Sequence, residues 1–181
     1  MDDIQKQDHS QSHKTGNLGN SGNLPALVWN PHLIKASDVE VKQLKWLRPG
    51  VIPEGKLCQF AGEPGTGKSL ITLFVASTLS RGGHWPVTSE QSQIGKTLII
   101  SCEDTKEDVI NSRLIALGAD LDNIIYLPSL RNEHGHEKNL DLKADLATLE
   151  SVLNDDSTIK LIIIDPIVEY LCINDSHKNL D

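Results

Sequence analysis

Apolar and polar positions fall in blocks along this chain, and the blocks alternate between strand-like and helix-like periods. Lys56–Ala61, launched by the turn Pro53-Glu54-Gly55, reads as a first strand. Behind a glycine-rich stretch, Ser69–Arg81 is apolar nearly all round, with Leu70, Ile71, Leu73, Phe74, Val75, Ala76 and Leu79. A helix with so little polar surface is expected to lie buried against a sheet. Gly82-Gly83 ends it. Thr97–Cys102 reads as the second strand. The helix after it has Thr105 as N-cap and Asp108 completing a capping box. Its apolar positions are Ile110, Leu114 and Leu117, and Gly118 closes it. Asn123–Leu127 is the third predicted strand, and residues 128–139 form a polar loop. The third predicted helix, Leu140–Leu153, buries Leu142, Leu146, Leu149 and Leu153. Ile159–Asp165 is an unbroken apolar run closed by an acid, which suits a central parallel strand covered on both faces. Strand and helix alternate, so the fold class is α/β with a parallel sheet. No internal repeat is present.

Upstream, Ser37–Leu47 is a short amphipathic stretch with Val39, Val41, Leu44 and Leu47 apolar. Ser37 and Glu40 fit a capping box, and Pro49-Gly50 stops the stretch. Residues 1–24, rich in Gln, Ser, Asn, Gly and His, bury too little apolar surface to fold and read as a disordered tail. Residues 25–50 are then a lead-in, and 51–181 the main domain.

Composition narrows the function classes. The 181 residues suffice for one domain with a real core. There are 17 basic and 25 acidic residues, a net charge of −8, which argues against a broad electrostatic grip on nucleic acid. Aromatics make up 4%, so base-stacking platforms are scarce as well. Contact with DNA through a few loops or a partner stays open. Cys58, Cys102 and Cys172 form no CxxC pair; Cys58 and Cys102 lie in apolar runs and read as buried thiols in a reducing cytosol. His134 and His136 flank Gly135 in a polar stretch and read as a solvated loop, since further metal ligands are lacking. No run approaches the ~18 apolar residues of a membrane span, and the polar N-terminus has no secretory apolar core. A soluble cytoplasmic protein is the expectation.

The chemistry concentrates in Gly62-Glu63-Pro64-Gly65-Thr66-Gly67-Lys68-Ser69, which fits GxxxxGK[ST] between a predicted strand and a predicted buried helix. Glycines let the backbone fold so that successive N–H groups point into one concavity. The N-terminus of the helix adds partial positive charge. Lys68 brings a full charge within reach of β- and γ-phosphates, the Ser69 hydroxyl is placed to ligate Mg²⁺, and Leu70 completes the cradle. Asp165, at the C-terminal end of its strand, stands at the sheet edge where ligands of α/β proteins bind. It is the second candidate for Mg²⁺; otherwise it only caps the turn before Pro166. Hydrolysis further needs a group that orients water. Pro166, not Glu, follows Asp165, so Glu103 at the tip of the second strand is the candidate base. Asp104 competes with it, and Glu169 is a third choice. The alternative is that Glu103 and Asp104 only decorate a loop.

The stretch Trp46–Lys56, the P-loop, Leu98–Asp104, Leu117-Gly118-Ala119-Asp120 and Ile162–Pro166 together resemble the AAA_25 group of RecA-like ATPases, which includes plasmid RepA-type replicative helicases. The resemblance covers about Leu44–Asp175. It implies a RecA-like P-loop NTPase three-layer sandwich, ATP and Mg²⁺ as ligands, and a catalytic Glu at the position of Glu103. It also implies ring assembly with an arginine finger from a neighbouring subunit, and DNA unwinding or translocation in many members. Arg81, Arg113 and Arg131 are available as fingers, and nothing in the sequence selects among them. Chains of this family continue past the Asn174-Asp175 region with a helix, a strand between the P-loop strand and the Asp165 strand, and further strands. The resemblance therefore implies a core incomplete on its C-terminal side. Unpaired backbone in such a gap costs about 1–3 kcal/mol per buried group, so a marginal or rearranged sheet is expected. Two function classes follow: a DNA-linked ATPase, or a module that binds ATP–Mg²⁺ without hydrolysing it. A small-molecule kinase lacks support, because no Arg-rich lid follows the P-loop.

Overall fold

The structure, a computed structural model, describes residues 30–102 and 106–171. The chain divides into two units, one up to Lys42 and one from Gln43 onward. In the first unit a single 3₁₀ turn, Ala36–Asp38, is followed by extended backbone at Val39. The capping box does not form, because Ser37 Oγ donates to Asp38 Oδ1 at 3.1 Å. The amphipathic helix expected from Ser37 is therefore absent. Val39, Val41 and Leu44 are all exposed, and a helix this short gains little without a surface to bury against.

In the second unit Pro49-Gly50 turns the chain instead of stopping a helix. Strands β1 (Trp46–Arg48) and β2 (Ile52–Pro53) pair antiparallel. Gly50 sits at φ +70°, the left-handed conformation that a tight turn with proline before it requires. Glu54 N–H donates to Lys45 O at 2.9 Å and closes the hairpin. Leu47 and Ile52 from the hairpin pack with Val75, Leu79 and Trp85 into one apolar cluster.

Helix α1 spans Lys68–Arg81 and ends at Gly82 in the left-handed conformation, φ +64°. Gly83 N–H then satisfies Thr78 O at 2.9 Å. Val75–Ser80 in the second half of α1 are buried, but Leu70 and Ile71 are 48% and 44% exposed. The expectation of burial all round thus holds for one half of the helix. The other half lacks its cover because Lys56–Ala61 forms no strand; Leu57 is 86% exposed and Cys58 is exposed too.

The central sheet is parallel, three-stranded and ordered β4-β3-β7, with β3 at Lys96–Ser101, β4 at Ile124–Tyr126 and β7 at Ile159–Asp165. β3, not β7, is the central strand among the described residues; β7 pairs with β3 along one side, from Lys96↔Ile159 to Ser101↔Asp165. Side chains alternate across the sheet. Ile99 and Ile163 join Leu73, Ala76, Ile110 and Leu114 on one face. Leu98, Ile100, Ile162 and Ile164 join Leu140, Leu149 and Tyr170 on the other. Helices therefore cover both faces: α1 and α2 (Asn111–Ala116) one, α3 (Leu146–Asp155) the other. A π-helical turn, Lys106–Ile110, leads into α2; the predicted N-cap Thr105 lies outside the described residues.

The predicted loop 128–139 contains a small hairpin, β5 (Leu130–Arg131) with β6 (Glu137–Lys138). Asn132 Oδ1 accepts from the N–H groups of His134 and His136, at 3.0 and 2.9 Å, and builds its turn. Among the described residues no cluster of three or more His, Cys, Asp or Glu is placed to hold a metal ion, and both histidines are exposed. Helix α3 starts six residues later than predicted. Asp145 explains the delay: it takes Lys138 Nζ at 2.6 Å and Asp141 N–H at 3.0 Å, which holds 141–145 as turns.

Lys96 at the start of β3 meets Asp156 at the end of α3, Nζ to Oδ2 2.7 Å. That ammonium, with Thr158 as second donor, pulls the Asp156 carboxyl down to about 2 from its ordinary 3.8. A depressed carboxyl stabilises the fold above the unfolded value and loses that contribution as pH falls through the folded one. Urea midpoints are therefore expected to fall between about pH 4 and pH 2, and the fall should shrink in Asp156→Asn. An unchanged acid profile in that variant would remove Asp156 from the account.

Candidate functional site

The carboxyl ends of β3 and β7 and the amino end of α1 meet at one place. The loop Gly62–Gly67 is exposed and α1 opens directly behind it at Lys68. Gly65 and Gly67 stand at φ +78° and +85°, conformations that side-chain-bearing residues rarely adopt. Thr66 Oγ1 donates to Glu63 O at 2.8 Å and ties the loop across itself. Lys68 Nζ donates to Gly62 O at 2.8 Å and Glu63 O at 2.9 Å, so its charge is held over the loop. The first N–H groups of α1 receive no side-chain cap. An uncapped helix start, the helix dipole and an ammonium group thus lie together at one exposed loop, an arrangement that suits an anion.

Next to it lies a cavity lined by Ser69, Thr72, Ser101 and Asp165 above an apolar floor of Leu73, Ile99, Ile110 and Ile163. Pairing of Ser101 with Asp165 in the β3–β7 register brings those two side by side. Thr72 Oγ1 is committed to Ser69 O at 2.9 Å. The hydroxyls of Ser69 and Ser101 and the carboxylate of Asp165 make no hydrogen bond among the described residues. Oxygen donors that converge without bonding one another suit a hard cation such as Mg²⁺ with its waters.

The sequence singled out Lys68, Ser69 and Asp165; Ser69 and Asp165 line the same cavity, whereas Lys68 is engaged with the loop carbonyls and is not part of that lining. The sequence overlooked Ser101 and Thr72. Ser101 carried one signal: a hydroxyl ending an apolar strand two positions before Glu103. Glu103 and Asp104 lie outside the described residues. Glu169 is exposed on the 3₁₀ turn Ile167–Tyr170 and does not line the cavity. Cys102, expected in the core, is exposed just past the last paired residue of β3. Beside it, burial pushes the Tyr170 phenol above its ordinary value; the adjoining Cys102 thiol and the carboxylates of Glu169 and Asp165 act in the same direction. Tyr170 O accepts Leu142 N–H at 2.8 Å, which anchors the turn after Asp165 to the segment before α3.

Arg81 is spent on structure. Its Nη1 donates to Leu117 O and Gly118 O, both at 2.5 Å, and caps the C-terminus of α2. Arg131 pairs with Glu137 within the hairpin.

A glycine-rich anion cradle opening a helix, set against an acid-tipped parallel strand, defines a nucleotide-binding domain of the P-loop NTPase class. The chain belongs to the AAA_25 family, described as an AAA domain, which matches residues 26–181. It is thus an AAA-type P-loop ATPase by family. No curated protein and no solved structure matches it. No helix among the described residues is long and apolar enough to cross a membrane.

Proposed function

We propose that this chain binds ATP with Mg²⁺ and hydrolyses it. The observation that supports the reading is that Ser69 and Asp165 line one cavity beside an exposed glycine loop, which Lys68 clasps through Gly62 O and Glu63 O. The N–H groups of Gly62–Gly67, Pro64 excepted, and of the first turn through Leu70 would take phosphate oxygens. Lys68 would exchange its carbonyl partners for the β- and γ-phosphates. Ser69 and Asp165 would hold the cation, which supplies neutralisation of phosphate charge when bound. Glu103 is proposed to orient the attacking water, from its place two residues beyond Ser101. Further proposals are the RecA-like three-layer core, a role in the cytoplasm in DNA replication or unwinding of the RepA type, and a homo-oligomeric ring that supplies an arginine in trans. Arg81, engaged at α2, is a poor donor for that purpose.

A second reading has its own support. Asp165 is the one carboxylate lining the cavity among the described residues, and Pro166 follows it. A domain that binds ATP–Mg²⁺ without turnover fits that arrangement. Steady-state phosphate release from the purified chain separates the two. Turnover that falls by roughly a hundredfold or more in Glu103→Gln supports hydrolysis with that base. Equal turnover in both proteins removes Glu103 from the role, and nucleotide binding without release establishes the second reading.

A further inference from the structure

The cavity beside the P-loop is lined by one further hydroxyl residue, Ser101. Ser101 ends β3 after four buried positions, Thr97, Leu98, Ile99 and Ile100. It is half-buried, and its hydroxyl lines the cavity together with Ser69 and Asp165. Its Cα partner across the strands is Asp165 itself. The neighbouring hydroxyl, Thr72 Oγ1, has a backbone acceptor; Ser101 Oγ has no partner among the described residues. The floor of Leu73, Ile99, Ile110 and Ile163 offers that hydroxyl no polar partner, and neither Ser69 nor Asp165 bonds it.

We infer that Ser101 is a positioning residue of the cation site: its hydroxyl bonds the water shell of the cation held by Ser69 and Asp165. This rests on the proposed phosphate-and-metal site and deepens it. Mg²⁺ gives up its waters reluctantly and is commonly held through them. Loss of an outer partner that orients what holds the metal typically costs roughly 10–100-fold in metal affinity. The β3–β7 ladder supplies the rigidity, because Ser101 and Asp165 cannot shift independently while their strands stay paired.

The test reads metal affinity, not turnover. ADP binding to the purified full chain is titrated with a fluorescent ADP analogue, first in EDTA and then against rising magnesium chloride. Ser101→Ala is expected to leave the EDTA affinity unchanged and to raise the half-saturating magnesium concentration roughly tenfold. Ser101→Thr, which keeps the hydroxyl, should restore the wild-type value. If Ser101→Ala unfolds, Ser101→Cys carries the same comparison, since it keeps the volume and loses the strong donor. Wild-type magnesium dependence in the Ala or Cys variant, alongside its loss in Asp165→Asn, overturns the role of Ser101 and leaves the site reading intact. No magnesium effect in the wild type sinks the site reading and this inference together.

Discussion

Replacing Lys68 by alanine is expected to weaken ATP binding by roughly a hundredfold or more, about 3 kcal/mol, while far-ultraviolet dichroism stays unchanged. The effect follows from where the ammonium group lies. Nζ bridges Gly62 O and Glu63 O at 2.8 and 2.9 Å, so it both closes the loop and places a full charge over the concavity. Charge-assisted hydrogen bonds to phosphate are the strong kind, and alanine removes them together with the clasp on the loop. The core does not depend on this side chain, because the loop is exposed and the buried positions of α1 begin only at Leu73. Lys68→Arg keeps the charge but not its compact shape, so it should fall between the two. Calorimetric titration with ATP–Mg²⁺ decides the matter: affinity within threefold of wild type in Lys68→Ala would remove the phosphate cradle from residues 62–69.

Leu79→Ala is expected to destabilise the second unit by about 3–4 kcal/mol. Leu79 has no exposed surface and packs in one cluster with Leu47, Ile52, Val75 and Trp85. Its truncation opens a cavity where α1, the β1–β2 hairpin and the loop after α1 join. Its backbone carbonyl also receives Gly82 N–H at 3.3 Å and Gly95 N–H at 3.2 Å, so neighbouring main chain cannot easily collapse into the void. Domains hold only about 5–15 kcal/mol in total, so the urea midpoint should drop by a large fraction. A change below about 1 kcal/mol would mean that the cluster repacks around the loss.

Local chemistry was legible and non-local pairing was not. Gly82 and Gly118 were readable as helix ends because the left-handed turn is dictated by the residue that adopts it. The bounds of β7 at Ile159 and Asp165 were readable because an apolar run ends in an acid. The candidate lysine and serine of the P-loop are marked in the sequence by the types and spacing that phosphate chemistry demands, and Asp165 by its place at the end of an apolar run. Lys56–Ala61 failed for the opposite reason. A strand exists only with a partner, and propensity cannot say whether one is present. The 130–138 hairpin was hidden because it is built by one Asn132 side chain and not by an apolar pattern. The late start of α3 depends on Lys138 reaching Asp145, and the fate of Arg81 on carbonyls 36 and 37 residues away. Ser101 could be placed beside Asp165 only through the β3–β7 register.

Trp85 gives this architecture a built-in optical probe. Its indole is 2% exposed, and the Arg48 guanidinium stands over it 5.9 Å from the ring centroid. Trp46, on the same hairpin as Arg48, is 39% exposed. An apolar cage and a cation held against a ring shape its emission, and both vanish when the hairpin separates from α1. The blue side of the fluorescence spectrum should therefore follow the hairpin–α1 layer during unfolding. It should stay silent when a ligand occupies the glycine loop, because no residue of that loop belongs to the tryptophan's cluster.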